Sequence, residues 1–268
     1  ALLSLLDYLE APSPYALYLL TGYAGTGKTY LLRSITEAAT RAGLHVELMA
    51  STGRAAKVLA GATGRQASTI HRTIYRASTQ LQEEGGSFQL GRVSAGRPTL
   101  FIVDEASMIS GDTGEVTPFG SGNLLDDLLA YVWSADESKL ILVGDTAQLP
   151  PVGTPLSDAL NAEVLTSRYG LEVYGTELRE VVRQKKGGIL HNATQLRQLL
   201  EDSADLDPEE LLPIHLETEG WRGIFAVEPG EFINTIDEAY RRYGIEQCLV
   251  ICPSNKKALE CNHAIRSA

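Results

Sequence analysis

The sequence predicts an α/β fold, a parallel β-sheet flanked by helices with a small β-hairpin insertion. Three observations predict it. Gly22 to Thr29 (GYAGTGKT) matches the phosphate-cradling pattern G-x-x-x-x-G-K-[ST], and it lies between an apolar run (Tyr15 to Leu20) and a helix-forming segment (Tyr30 to Arg41). A second unit of strand, turn and helix follows at once, and sequential units of that kind stack into parallel sheets through right-handed crossovers. Two further runs, Thr99 to Val103 and Lys139 to Val143, are too uniformly apolar for a sheet with one wet face, so they read as strands buried on both sides.

In chain order, Leu2, Leu3, Leu5, Leu6 and Leu9 have helical spacing, closed by Pro12 and Pro14. After the phosphate loop and its helix, Gly43 breaks the pattern. His45 to Ala50 reads as a strand, and Arg54 onwards as a helix closed by Gly61 and Gly64. Ser68 to Tyr75 is a short amphipathic piece. Arg76 to Arg97 is polar and punctuated by glycine, with strand-like Ser87 to Leu90 and Arg92-Val93 around Gly91, and it reads as the hairpin insertion. A Gly/Ser/Thr-rich loop (Ser110 to Gly122) leads to a helix from Asn123 to Ser134. After the strand at Lys139, Ser157 to Leu165 is helical, Leu171 to Tyr174 is a strand and Ile189 to Leu200 is a helix. The acidic, proline-broken stretch from Glu201 to Pro213 is the best linker. A helix near Phe232 to Tyr243, a strand from Gln247 to Cys252 and a helix from Asn255 to Arg266 begin a second α/β unit. The expected domains are therefore 1–200, carrying the insertion at 76–98, then a linker at 201–224 and the start of a second domain at 225–268.

Bulk composition excludes some classes. The 268 residues carry 44% hydrophobic side chains, ample for buried cores, and no run of eighteen apolar residues or signal-peptide pattern is visible. The reading is an intracellular, cytoplasmic protein of bacterial or phage type without a membrane partner. The first residue is not Met, so the natural N-terminus is expected upstream. Cys248, Cys252 and Cys261 have no second C-x-x-C pair or spaced His pair to make a zinc site, and they read as buried thiols of a reducing compartment. The net charge of −11 argues against a protein that coats nucleic acid, yet Arg54 to Arg97 holds seven basic residues against two acids. Such a stretch fits a phosphate backbone, or an ordinary solvated face.

The chemistry starts at the loop. Backbone N–H groups of Gly22, Ala24, Gly25, Thr26 and Gly27, together with the first helical residues to Tyr30, can converge on a polyphosphate. Lys28 adds a point charge for the β- and γ-phosphates, and Thr29 a hydroxyl for Mg²⁺. ATP with Mg²⁺ is the implied cofactor. Asp104 and Glu105 follow a buried strand directly, where ligands bind in open α/β sheets. Asp104 suits the metal and Glu105 the attacking water, unless both merely cap the next helix. Gln148, at the end of the neighbouring strand beside Pro150-Pro151, can reach a γ-phosphate. Arg183 is placed to stabilise transition-state charge, or else to form a surface ion pair.

At this point the residues carry a resemblance. GYAGTGKT (22–29), STGRAAKVL (51–59), STIHR (68–72), VDEASM (103–108), GDTAQLPPVG (144–153) and ELREVVRQ (177–184) resemble, in order, the motifs of superfamily 1 DNA helicases of the RecD-like, 5′-to-3′ branch. CPSNKKALECNHAIR (252–266) is similar to the opening of that family's second RecA-like domain. The resemblance implies a RecA-like P-loop ATPase domain that couples ATP hydrolysis to movement on single-stranded DNA and to unwinding at duplex junctions, in DNA repair or recombination with partners still unnamed. It implies Lys28 and Thr29 as the Walker A pair, Asp104 and Glu105 as Walker B, Gln148 as γ-phosphate sensor and Arg183 as first arginine finger. Thr52, Arg54, Thr69 and His71 fall where the family contacts DNA, although Thr52 reads equally as a helix cap and His71 as a packed histidine. The insertion falls where the family carries a strand-separating pin, and Phe88 is its one candidate for stacking on a base.

Two departures accompany the resemblance. No Gln precedes Gln66, so the family's adenine-gripping glutamine is missing, and the later motifs of the second domain are absent. The chain therefore reads as part of a longer helicase, able to bind nucleotide but poor at hydrolysis by itself. Two other readings stay open, a nucleotide-gated DNA-binding or loading module that never unwinds, and the motor subunit of a recombination exonuclease.

Overall fold

The computed structural model describes residues 2–77, 88–93, 96–109, 111, 118–135, 137–151, 154, 156–180, 187–202 and 214–267. They separate into two compact units, Ala1–Lys185 and Lys186–Ala268. The helix Gly188–Asp202, which the sequence grouped with the first domain, belongs by contact to the second unit. Most of the acidic linker stretch, 203–213, lies outside the described residues.

The first unit runs α1 (Leu2–Glu10), β1 (Ala16–Gly22), α2 (Lys28–Arg41), β2 (His45–Ala50), α3 (Gly53–Thr63), β3 (Ala67–Thr69), α4 (Ile70–Ile74), β4 (Tyr75–Ala77), β5 (Phe88–Leu90), β6 (Thr99–Asp104), α5 (Leu124–Val132), β7 (Ser138–Gly144), α6 (Ala162–Ser167) and β8 (Glu172–Leu178). Six strands form one sheet in the order β3-β2-β6-β7-β1-β8, and every neighbouring pair is parallel. Chain order and sheet order differ because each strand returns through a helix, and the crossovers place β6 and β7 between β2 and β1.

Successive strand residues point to opposite faces, and here both faces are dry. On one, Leu17, Leu19, Met49, Phe101, Val103, Leu140 and Leu142 pack with α4, α5 and α6. On the other, Tyr18, Leu20, Val46, Leu48, Leu100, Ile102, Ile141 and Val143 pack with α1, α2 and α3. This explains the unbroken apolar runs at β6 and β7. It also fixes α1, whose Tyr8 is wholly buried and donates its hydroxyl to the Leu140 carbonyl at 2.9 Å, sparing that side chain an unsatisfied polar atom.

Several local expectations change. The helix α3 runs through Gly61 and stops at Gly64, whose left-handed backbone returns an N–H to the Ala60 carbonyl. The hairpin pairs β4 with β5 in antiparallel register, Tyr75 opposite Leu90 and Ala77 opposite Phe88. Arg92 and Val93 are therefore not its second strand, and β4 begins one residue before the insertion was placed.

The second unit contains α7 (Gly188–Asp202), α8 (Phe232–Tyr243) and α9 (Asn255–Ser267). The strand expected over Gln247 to Cys252 is not formed. Residues 245–247 make a 3-10 turn and 248–252 take no regular structure, and no strand exists among the described residues of this unit. Leu249 and Ile251 stay exposed as a result. Cys248, Cys252 and Cys261 are half-buried free thiols rather than buried ones. No described helix is long and apolar enough to cross a membrane.

Candidate functional site

The strand β1 ends at Gly22, and after five intervening residues α2 begins at Lys28, with Gly27 in the left-handed region at φ 91°. Inside the turn, Thr26 donates its backbone N–H at 3.3 Å and its hydroxyl at 2.7 Å to the Tyr23 carbonyl. The loop thus closes on itself. Lys28 Nζ donates to the carbonyls of Gly22 and, at 3.0 Å, Tyr23, so the ammonium folds back across its own loop.

A cleft of about 740 Å³ opens on this loop. Ala24, Gly25, Gly27, Lys28, Thr29 and Tyr30 line one side, and Asp104, Glu105, Met108 and Gln148 line another. The sheet explains the convergence, because β1, β7 and β6 are adjacent and parallel and deliver Gly22, Gly144 and Asp104 at the same edge. Of the loop residues read from the sequence, Gly22 and Thr26 do not line the cleft. Gly22 sits against Leu178 and Thr26 is buried, so these two shape the loop.

Asp104 is 9% exposed, and its Oδ1 accepts the Glu105 N–H at 3.0 Å. Burial pushes its carboxyl above the ordinary aspartate range, opposed by that hydrogen bond and by the charge of Lys28. Glu105 is also raised, first by burial and then by Asp104, while Lys28 and a hydrogen bond from Gln148 pull it down. Glu105 and Gln148 are therefore in direct contact, and Lys28 lies in the field of both acids. Glu105 adopts φ 54°, ψ 43°, a left-handed conformation that costs a non-glycine residue of order 1 kcal/mol or more. The turn after β7 is held by Asp145, which is 3% exposed; its Oδ1 accepts the Ala147 N–H at 3.0 Å and its carbonyl accepts the Gln148 N–H at 3.1 Å. That turn aims Gln148 into the cleft.

Thr52 and Arg54, read from the sequence as nucleic-acid contacts, line this same cleft with Ala55 and Val58. Thr52 also caps α3, its hydroxyl accepting the Ala55 N–H at 3.2 Å. Thr69 caps α4 in the same way, from Arg72 N–H at 3.3 Å. His71 packs among Tyr75 and Phe119, and burial lowers its pKa, so it is a neutral ring at neutral pH. Arg183 lies outside the described residues. Met108, Val58 and Ala55 were not anticipated; the only signal for Val58 was its position one helical turn after Arg54.

An AAA domain family profile matches residues 10–207, about three-quarters of the chain. The chain belongs to the AAA domain family. Two relatives are helicases by name. The ATP-dependent RecD2 DNA helicase of Deinococcus radiodurans is 34% identical over 188 residues, 70% of this chain and 23% of that protein. The ATP-dependent DNA helicase dda of Enterobacteria phage T4 is 31% identical over 182 residues, 66% of this chain and 37% of that protein. The AAA domain described here thus sides with the RecD-like branch of superfamily 1, and it spans well under half the length of both relatives. Among solved structures, Pif1 from a Bacteroides species in complex with ADP-AlF4 aligns at a TM-score of 0.44 and 20% identity, over 78% of this chain and 47% of that one.

Proposed function

We propose that this AAA domain is the ATP-hydrolysing motor of a DNA helicase, coupling nucleotide turnover to 5′-to-3′ movement on single-stranded DNA and to duplex unwinding. One observation carries the reading. Lys28, Thr29, Asp104, Glu105 and Gln148 share one cleft at the carboxyl edge of three adjacent strands. A phosphate-binding loop alone needs only Lys28 and Thr29; two raised carboxylates and a glutamine converging on it supply what hydrolysis adds.

Thr29 and Asp104 fit a magnesium ion, since a hydroxyl and a buried carboxylate with one oxygen committed to a backbone N–H are hard oxygen donors. Bound with nucleotide, magnesium supplies neutralisation of the β- and γ-phosphate charge. In the proposed cycle Lys28 exchanges the carbonyls of Gly22 and Tyr23 for those phosphates. Glu105, raised first by burial and then by Asp104, orients the attacking water and takes its proton. Gln148 leaves Glu105 to meet the γ-phosphate, so occupation of the site reaches the turn after β7. Arg183 is proposed to stabilise the transition-state charge. Thr52, Arg54, Thr69 and His71 stand on the caps and first turns of α3 and α4, and we place the single strand along them. Because Thr52 and Arg54 also line the nucleotide cleft, one short element meets both ligands.

The test is ATPase activity of the full-length natural protein with and without single-stranded DNA, beside Lys28→Ala. The motor reading requires stimulation by DNA and its loss in the variant. Hydrolysis indifferent to DNA would leave a nucleotide-gated module instead, and stimulated hydrolysis without unwinding would remove the helicase.

A further inference from the structure

The insertion is held to the body of the domain by a residue that no motif contains. Residues 118–120 run beside β5. Phe88 donates its N–H to the Pro118 carbonyl at 2.8 Å, Gly120 returns an N–H to the Phe88 carbonyl at 2.9 Å, and Phe88 and Phe119 form a parallel bridge. The two-stranded β4–β5 sheet thereby gains a third line of backbone. Beyond it, the chain is fastened to α5. Asp127, 5% exposed, accepts the Ser121 N–H at 3.0 Å and the Tyr75 hydroxyl at 2.7 Å through the same Oδ2. Gly120 makes that approach feasible, for at φ 48° a Cβ there would sit 2.0 Å from Asp127 Oδ2 and 2.6 Å from the Tyr75 ring.

The side chains repeat the pattern. The Phe119 ring stacks on Phe88 at 4.7 Å and 22°, lies 5.3 Å from Tyr75, and meets His71 edge to face at 5.1 Å and 77°. Both offset-stacked and edge-to-face arrangements are favourable for aromatic quadrupoles. Phe88 is the only aromatic residue of 76–98 and is 37% exposed, open enough to offer a ring edge or face to a base. Phe119 therefore joins the exposed ring of the insertion to the histidine of α4.

We infer that Phe119 is a positioning residue for strand separation: it holds Phe88 in place and passes the load on the insertion to α4 and α5 through His71 and Tyr75. This rests on the helicase reading. Shortening Phe119 leaves the nucleotide cleft intact, since neither Phe119 nor its ring partners line it. Movement along a single strand and its ATP consumption should persist while separation of the duplex fails.

The experiment compares wild type, Phe119→Leu, Phe119→Tyr and Phe88→Ala in the full-length natural protein, by DNA-stimulated ATPase and by unwinding of a 5′-tailed duplex. Leu keeps apolar volume without a π face. Loss of the stacked contacts predicts unwinding about tenfold slower in Phe119→Leu, with ATPase within about twofold of wild type and recovery in Phe119→Tyr. A Phe88→Ala, Phe119→Leu double variant should be no worse than its worse parent. Wild-type unwinding speed in Phe119→Leu, an equal fall in ATPase, or losses that multiply in the double variant would each overturn the inference. A wild-type protein that never unwinds refutes the helicase reading instead. Positioning is then read from single-strand affinity, which should fall in Phe119→Leu to the level of Phe88→Ala; unchanged affinity overturns it.

Discussion

Replacing Gly22 by alanine should damage this domain more than its single added methyl suggests. A Cβ at Gly22 would stand 2.5 Å from the Leu178 carbonyl oxygen, 2.9 Å from Leu178 Cβ and 3.0 Å from Thr26 Oγ1. Carbon–oxygen contacts settle near 3.3 Å or beyond, so the last rung of the β1–β8 pairing, Gly22 with Leu178, must part by roughly 0.8 Å. Overpacking of this kind costs about 1–3 kcal/mol. The backbone at φ 157° adds about 1 kcal/mol more. For a unit of this size each kcal/mol moves Tm by about 2–4 °C, so the expected fall is roughly 5–15 °C. Gly43→Ala is the matched control, because it also has a positive φ, 86°, but nothing lies within 4 Å of its Cβ. Thermal melting of the two variants, with nucleotide titration of each, separates crowding from backbone strain. Nucleotide affinity should drop only for Gly22→Ala, whose carbonyl holds Lys28. Equal Tm values for the two variants would show that the β1–β8 edge yields freely, and the argument for Gly22 would fail.

Glu105→Gly should relieve a left-handed backbone and raise stability by up to about 1 kcal/mol while abolishing ATP hydrolysis; a variant that melts lower than wild type would show that the φ of 54° carries no strain. Thr52→Ala removes the N-cap of α3 and should cost about 1 kcal/mol in thermal melts, whatever it does to DNA binding, and an unchanged Tm would deny the cap its role. Burial lowers the His71 pKa below that of an unfolded histidine, so its stabilising effect is complete above the unfolded value, about 6.5, and is lost as pH falls through and below it. His71→Gln should therefore flatten the stability loss between pH 7 and pH 5. A slope as steep as wild type would place the acid sensitivity elsewhere.

Legibility followed the range of the interactions. The phosphate loop was readable because its hydrogen bonds close within a few residues, Thr26 on Tyr23 and Lys28 on Gly22. The strands β6 and β7 were readable because burial on both faces writes an unbroken apolar run. The hairpin was misread because Tyr75 finds Leu90 across a span whose own composition says only that it is polar and rich in glycine. The run around Leu249 and Ile251 looked like a strand but pairs with nothing among the described residues, and apolar composition forms no ladder without a neighbour. Phe119 was invisible, because it lies within a Gly/Ser/Thr-rich loop and acquires meaning only through rings 31 and 48 residues away along the chain.

By itself the sequence determined which groups stand at each strand tip: a glycine-rich loop with its lysine, two carboxylates, a glutamine. Those assignments are local, set by residue type and by the turn that follows each strand. Tertiary structure alone decided that β6 and β7 lie between β2 and β1, which brings the tips to one edge and brings Thr52 and Arg54 into the nucleotide cleft. The order of strands depends on how two apolar faces divide their helices, a free-energy balance over the whole core that no single segment contains.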